Sequence, residues 1–301
     1  MLNGSLHGWL VIDKPIGVTS SRVVDLVRRR AGTKVGHAGT LDPLASGVLP
    51  IAIGEATKTT AYAMAARKRY RFRIRWGIAR STDDREGDII GECAVRPNGS
   101  EIEAILPGFI GTILQTPPTY SAIKVSGHRS YALARANRPA ALSQRPIEIS
   151  ELRLIAVPDR DHADCEALVG KGAYIRALAR DLGIALGTLA HIAELRRLAV
   201  GPFSQDQAIA LDSITEHGHI TMDCRYLLPI EAALDDIPAV VLTGKETARL
   251  RCGQKLAPGD AFSDLSRYRH GAVVGAWHEQ VLIALARIEE GCLRPIRVFN
   301  H

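Results

Sequence analysis

Asp42 stands alone among small and apolar residues in the segment Gly36 to Pro50, GHAGTLDPLASGVLP, and a carboxylate in that company needs a reason. An Asp before Pro43 could cap a helix whose first residue is proline. Gly47 and Pro50 would interrupt such a helix within about two turns, so a tight turn headed by Asp42 fits better. The third possibility is chemical: an ionised carboxylate fixed in a turn can act as nucleophile or general base. Other catalytic signatures are missing. There is no GxxxxGK[ST] phosphate loop, Gly36-His37-Ala38-Gly39 lacks its spacing, and no GxSxG elbow occurs. His217 and His219 flank a glycine but bring no further ligands, and Cys93, Cys165, Cys224, Cys252 and Cys292 are scattered, so neither a metal site nor a disulfide framework is expected.

The 301 residues carry 38 Lys and Arg against 32 Asp and Glu, a net charge of +6, and the excess is clustered. No acidic residue lies between Ala104 and Ile147, where Lys124, Arg129, Arg135, Arg138 and Arg145 fall, and seven basic residues crowd between Arg67 and Arg80. Such patches suit a polyanion such as RNA, although each could also be a solvated surface. The unpaired cysteines fit a reducing compartment. With no apolar run near the roughly 18 residues of a membrane span, a soluble cytoplasmic protein is expected.

Several elements could position Asp42. Trp9 to Ile12 reads as a strand, and Thr19-Ser20-Ser21 as the cap of a helix carrying Val23, Val24 and Val27 and ending before Gly32. Val48 to Ile53 reads as a buried strand and Glu55 to Ala66 as a helix. In Arg69 to Trp76, Tyr70, Phe72, Ile74 and Trp76 alternate with four arginines, the pattern of a half-buried strand whose basic face could meet phosphate. Gly127 to Pro146 reads as a long basic insertion with a short helix around Tyr131 to Arg135. A strand ending at Gly170, a helix carrying Ile175, Leu178, Ala179 and Leu182, and a short helix over His191 to Leu198 follow. The pattern loosens through Ser213 to His219. From Ala239 the chain becomes β-rich, with a small helix at Thr243 to Cys252 and strands at Ala272 to Trp277, Val281 to Ile288 and Arg294 to Phe299.

The segment GHAGTLDPLASGVLPIAIGEATK, preceded by DKPIGVTS and followed by KRYR, GKGAYIRALARDLG and LRRLAVG, resembles the bacterial tRNA pseudouridine synthase B family, in five ordered blocks from Asp13 to Gly201. The resemblance implies an α+β pseudouridine synthase fold with a mixed, largely antiparallel central sheet. It divides the chain into a catalytic domain over 1–235, with a thumb-like RNA-binding insertion at about 124–150, and a PUA-like RNA-binding domain over 236–301. The implied reaction isomerises uridine 55 in the T loop of tRNA to pseudouridine, with no cofactor or metal. Asp42 is implied as the catalytic nucleophile or base, Arg176 as its ionic partner, and Tyr70 as the ring that stacks on uracil and a candidate for the late proton removal. Tyr174 and Leu195 are implied to line the site, His37 to help expose the nucleotide, and Lys14 to support the structure. The implied partner is the tRNA T stem-loop, met by a monomer without a membrane. Rival readings are a non-catalytic RNA-binding protein or chaperone on the same scaffold, a synthase for ribosomal RNA working with partner proteins, and a small-molecule nucleotide enzyme.

Overall fold

Alternation at period two builds the centre of the molecule. In the computed structural model, which describes residues 6–136, 138–215, 224–257, 265 and 268–300, Gly8–Lys14 is a strand buried on both faces. Leu10 and Ile12 join one apolar cluster, while Trp9 and Val11 join another across the sheet. The main sheet runs in the order Ile209–Ala210, Gly8–Lys14, Ser46–Ile53, Ala190–Val200, Lys68–Trp76, His162–Val169, Arg145–Asp159 and Gly111–Gln115. Two of these neighbouring pairs are parallel, Gly8–Lys14 with Ile209–Ala210 and Ala190–Val200 with Ser46–Ile53; the other five are antiparallel. The sheet is therefore mixed and largely antiparallel, and with its helices gives the expected α+β fold.

Two helices cover the first face. Ser20–Ala31 is capped by Thr19, whose side chain accepts from Arg22 N, and stops at Gly32 in the left-handed region, as its sequence signals require. Its Val23, Val24 and Val27 pack with Ile175, Leu178 and Leu182 of helix Ile175–Ala185 in one core. The expected helix from Glu55 to Ala66 forms in two parts, a 3-10 segment Gly54–Thr59 and an α-helix Thr60–Ala65. The hydroxyls of Thr57, Thr59 and Thr60 each donate to a carbonyl three residues back, which favours the tighter winding.

One expected element is overturned. His191 to Leu198 is not a helix; it lies inside strand Ala190–Val200, paired along its length with Lys68–Trp76. Register shifts between Ile192 and Glu194 and between Arg197 and Ala199 break the alternation. Buried Ile192 and Leu195 consequently fall three residues apart, the spacing that mimics a helix. Neighbouring strands override the helix propensity of Ala, Glu, Leu and Arg.

The second face of the sheet carries a separate β-rich unit. Its four strands, Ala239–Val241, Val273–His278, Val281–Glu289 and Cys292–Val298, lie in that order, with helix Gly244–Arg251 capped by Thr243. Leu282, Leu285 and Phe299 pack with Trp9 and Phe203 of the main sheet. Lys58 Nζ donates to Val298 O at 2.7 Å, and Asn300 N to Glu55 Oε2 at 2.8 Å. Among the described residues, no helix is long and apolar enough to cross a membrane. The His217 and His219 pair, and the end of the Ser213 to His219 stretch, lie outside the described residues.

Candidate active site

The segment from Ala38 to Ala45 has no repetitive structure of its own, so neighbours must fix it, and three buried polar side chains do so. Ser20, sealed at the start of its helix, accepts from Leu41 N at 2.8 Å and donates to Leu41 O at 3.0 Å. Arg197, 1 % exposed, donates to Val48 O, Gly39 O and Thr40 O. Lys14 donates to Pro15 O and Val18 O at 2.8 Å and to Pro43 O at 3.5 Å. Asp42 then heads a turn through Pro43 and Leu44, closed by Ala45 N donating to Asp42 O at 3.1 Å. The local expectation of a turn rather than a helix is what forms. Gly47 has φ +105, and a Cβ there would run into the Arg197 carbonyl, so only glycine lets the two segments touch.

Asp42 Oδ2 accepts from Arg176 Nε at 2.9 Å, across 134 residues of sequence. The carboxylate side chain is 38 % exposed and the arginine 5 %, so the anion faces outward from a buried cation. Among the described residues Asp42 Oδ1 has no hydrogen-bond partner. Arg176 spends its remaining donors on Thr82 O at 2.8 Å and Tyr120 O at 3.0 Å, and Nη1 lies 3.5 Å from Asp84 Oδ2. Asp84, also buried, accepts from Thr82 Oγ1 and Glu86 N. Four chain segments thus meet at one guanidinium, whose planar fork suits such a junction.

The other expected residues differ in how closely they approach. Tyr174 precedes helix Ile175–Ala185, and its backbone is clamped by Gln115, which donates to Tyr174 O at 3.2 Å and accepts from Tyr174 N at 2.9 Å. Burial raises the Tyr174 phenol, opposed by the neighbouring Ser121 hydroxyl, while the charge of Asp42 adds to the rise. Burial brings the Lys14 ammonium down to about 8, against the pull of Asp42. Tyr70 and Leu195 belong to the core beneath helix Ile175–Ala185, Tyr70 partly open and Leu195 buried. His37 ends the short strand that leads into the Asp42 segment. Burial, then Arg197, lowers its pKa, and no hydrogen bond joins it to Asp42 or Arg176 among the described residues.

The face of the arginine strand that could meet phosphate carries acids from its neighbours. Arg69 pairs with Glu151 and Glu166, Arg73 with Asp164 and Glu194, and Arg75 with Asp161, leaving only Arg71 of the four without an acidic partner among the described residues. Adjacent strands neutralise this face. The sequence reading missed Asp84, Arg197, Ser20 and Gln115. The adjacent acids Asp83 and Asp84, just after seven basic residues, were a legible signal; for Gln115 and Ser20 no sequence signal exists. No group of three or more potential metal-ligating side chains occurs among the described residues.

Comparison with known proteins places this arrangement in context. Residues 28–175 match the N-terminal domain of the TruB family of pseudouridylate synthases, and residues 176–235 the tRNA pseudouridylate synthase B C-terminal domain. The tRNA pseudouridine synthase B of Rhodospirillum rubrum is 51 % identical over 98 % of this chain and 97 % of its own. That of Bradyrhizobium diazoefficiens is 48 % identical over 98 % of this chain and 86 % of its own. Among solved structures, an archaeal box H/ACA sRNP Nop10–Cbf5 complex superposes with TM-score 0.74 at 24 % identity, covering 98 % of this chain and 87 % of that one. A Cbf5–Nop10–Gar1 complex does so with TM-score 0.73 at 26 % identity, covering 98 % and 84 %.

Proposed function

The chain belongs to the TruB family of pseudouridylate synthases, and from that premise we propose that it isomerises uridine 55 in the T loop of tRNA, with Asp42 as the catalytic group. The observation that carries this reading is the arrangement of the Asp42 carboxylate: Oδ2 is tied to Arg176, while Oδ1 has no hydrogen-bond partner among the described residues, on a partly exposed side chain. A buried cation holds one carboxylate oxygen, and the turn keeps the group still.

Isomerisation breaks the N1 to C1′ bond, turns the uracil, joins C5 to C1′, releases the C5 proton and protonates N1, so atoms balance without an oxidant or ATP. Asp42 acts as nucleophile or base while the glycosidic bond is open. Tyr70 stacks on the extruded base, an interaction worth about 1–3 kcal/mol that offsets much of the cost of flipping, and its phenol takes the C5 proton. Tyr174 and Leu195 complete the wall, His37 assists extrusion, and Lys14 holds the Asp42 turn. The insertion at about 124–150, free of acidic residues up to Ile147, grips the phosphates as a thumb. Residues 1–235 form the catalytic domain, and 236–301 act as a PUA-like module on the acceptor side of the tRNA. The protein works as a monomer in the cytoplasm, without cofactor.

The test uses unmodified tRNA transcript tritiated at uracil C5, incubated with wild type and with Asp42→Asn. Wild type releases tritium, the variant does not, and a transcript with cytidine at position 55 yields none from that site. Release by the variant at the wild-type rate would remove Asp42 from the chemistry. Tight binding without release by the wild type would favour an RNA chaperone.

A further inference from the structure

Helix Ile175–Ala185 presents a second arginine that repeats the contacts of the first. Arg180 lies four residues after Arg176, one turn along the same helix face. Arg176 donates to Thr82 O at 2.8 Å and to Tyr120 O at 3.0 Å. Arg180 donates from Nη1 to Asp83 Oδ2 at 2.9 Å and from Nη2 to Thr116 O at 2.7 Å. Its Nε donates to Asp181 Oδ1 at 3.0 Å, which fixes the plane of the fork. The two guanidiniums therefore clamp the same two segments, 82–83 and 116–120, one turn apart.

Both segments need a clamp, because neither belongs to a helix or a strand. Asp83 sits at φ +59, in the left-handed region where a side chain costs energy and glycine would not. A carboxylate at such a position is held by its contact, and that contact is Arg180. Burial raises the Asp83 carboxyl, opposed by the charge of Arg180 and then by that of Arg176, so both arginines act on this one acid. Ile192 N donates to Asp83 O at 3.0 Å, tying the first segment to the bulge in strand Ala190–Val200. Ser130 Oγ donates to Thr119 O at 2.6 Å, tying the second to the insertion. With Asp83 and Thr116 bound to Arg180, the carbonyls of Thr82 and Tyr120 stay where Arg176 can reach both while its Nε meets Asp42 at 2.9 Å.

We propose that Arg180, paired with Asp83, is a positioning residue for the isomerisation: it holds the two carbonyl acceptors of Arg176 in place and through them sets the orientation of the Asp42 carboxylate. The inference rests on the enzymatic reading above and deepens it. Arg180 touches neither Asp42 nor the space where a base would lie; its donors go to Asp83, Asp181 and Thr116. Its effect therefore falls on the chemical step, where a small misplacement of the reacting group is costly, and not on RNA affinity.

The experiment compares wild type, Arg180→Gln, Arg176→Lys and the double variant, at a temperature where urea titrations show each one folded. Single-turnover tritium release from tRNA transcript is measured at saturating enzyme, and transcript affinity separately. Arg180→Gln is expected to slow release about tenfold while affinity stays within about twofold of wild type. On the Arg176→Lys background the same change should cost less than about threefold, because the path through Arg176 is already broken. Asp83→Asn keeps the size and tolerates the left-handed backbone, so it carries the test if Arg180→Gln does not fold; its release should slow at least about threefold. Release by Arg180→Gln, or failing that by Asp83→Asn, within twofold of a wild type that does release tritium overturns the positioning role alone, even where the urea midpoint falls. A full tenfold penalty repeated in the double variant overturns the route through Arg176. A wild type that releases no tritium defeats the enzymatic reading, and the positioning role with it.

Discussion

Replacing Arg176 by lysine keeps a positive charge at the site and removes the geometry. The arginine donates from Nε to Asp42, from Nη1 to Thr82 O and from Nη2 to Tyr120 O, with Asp84 beside it. One ammonium on a flexible stem cannot reach three acceptors set around a planar fork. If lysine turns inward to Asp84 and the carbonyls, Asp42 loses a charge-assisted hydrogen bond worth about 1.5–3 kcal/mol. Expressed wholly in the transition state, that is a fall of about 10- to 150-fold in the chemical step. The carbonyls left without donors add a stability loss of about 1–3 kcal/mol each. The assay is single-turnover tritium release from tRNA transcript at saturating enzyme, at a temperature where a urea titration shows the variant fully folded. Release within twofold of wild type would refute the claim that Arg176 fixes the working orientation of Asp42. An unchanged urea midpoint would refute the claim that its fork holds the Thr82 and Tyr120 segments.

Three further outcomes follow from the same geometry. The Lys14 pKa is lowered from 10.5 to about 8, so between those values the unfolded chain holds a proton that the folded chain has released, and the buried ammonium weakens the fold most below pH 8. Wild-type stability relative to Lys14→Met should therefore rise with pH from about 8 to 10.5 in urea titrations, and parallel pH profiles for the two proteins would contradict this. Gly47→Ala combines a strained φ of +105 with a collision against the Arg197 carbonyl, and should cost about 2–4 kcal/mol; a wild-type melting temperature would show that the two segments can separate freely. Arg73→Ala removes a partly exposed ion pair with Asp164, so stability should fall by about 1 kcal/mol or less. Its tRNA affinity and salt slope should match wild type, and a slope reduced by one contact would restore the arginine strand as a phosphate surface.

Much of the fold could be read from local pattern. Period-two alternation marked Lys68–Trp76, Thr19 and Gly32 bounded the first helix, and the apolar run at Trp9 marked a strand. Reading failed where tertiary contacts set the answer. The bulged strand Ala190–Val200 has the apolar spacing of a helix, and its pairing with Lys68–Trp76 is invisible in either segment alone. The three-residue strand Ala239–Val241 is too short to carry a period.

The site divides the same way. The lone Asp42 before Pro43, the tyrosine in Lys68–Trp76 and the five ordered blocks were present in the sequence, and they identified the family. The turn was equally legible, because Asp-Pro followed so soon by Gly47 and Pro50 leaves little else. What only the tertiary structure decided is which charges are already spent. Carboxylates on adjacent strands take up three arginines that looked free, while Arg145 keeps a buried nitrogen without a hydrogen-bond partner among the described residues. Asp84, unremarked in the sequence, sits against Arg176. Charge balance depends on distances of a few ångströms between residues up to 134 positions apart, and strand order and register, not composition, set those distances.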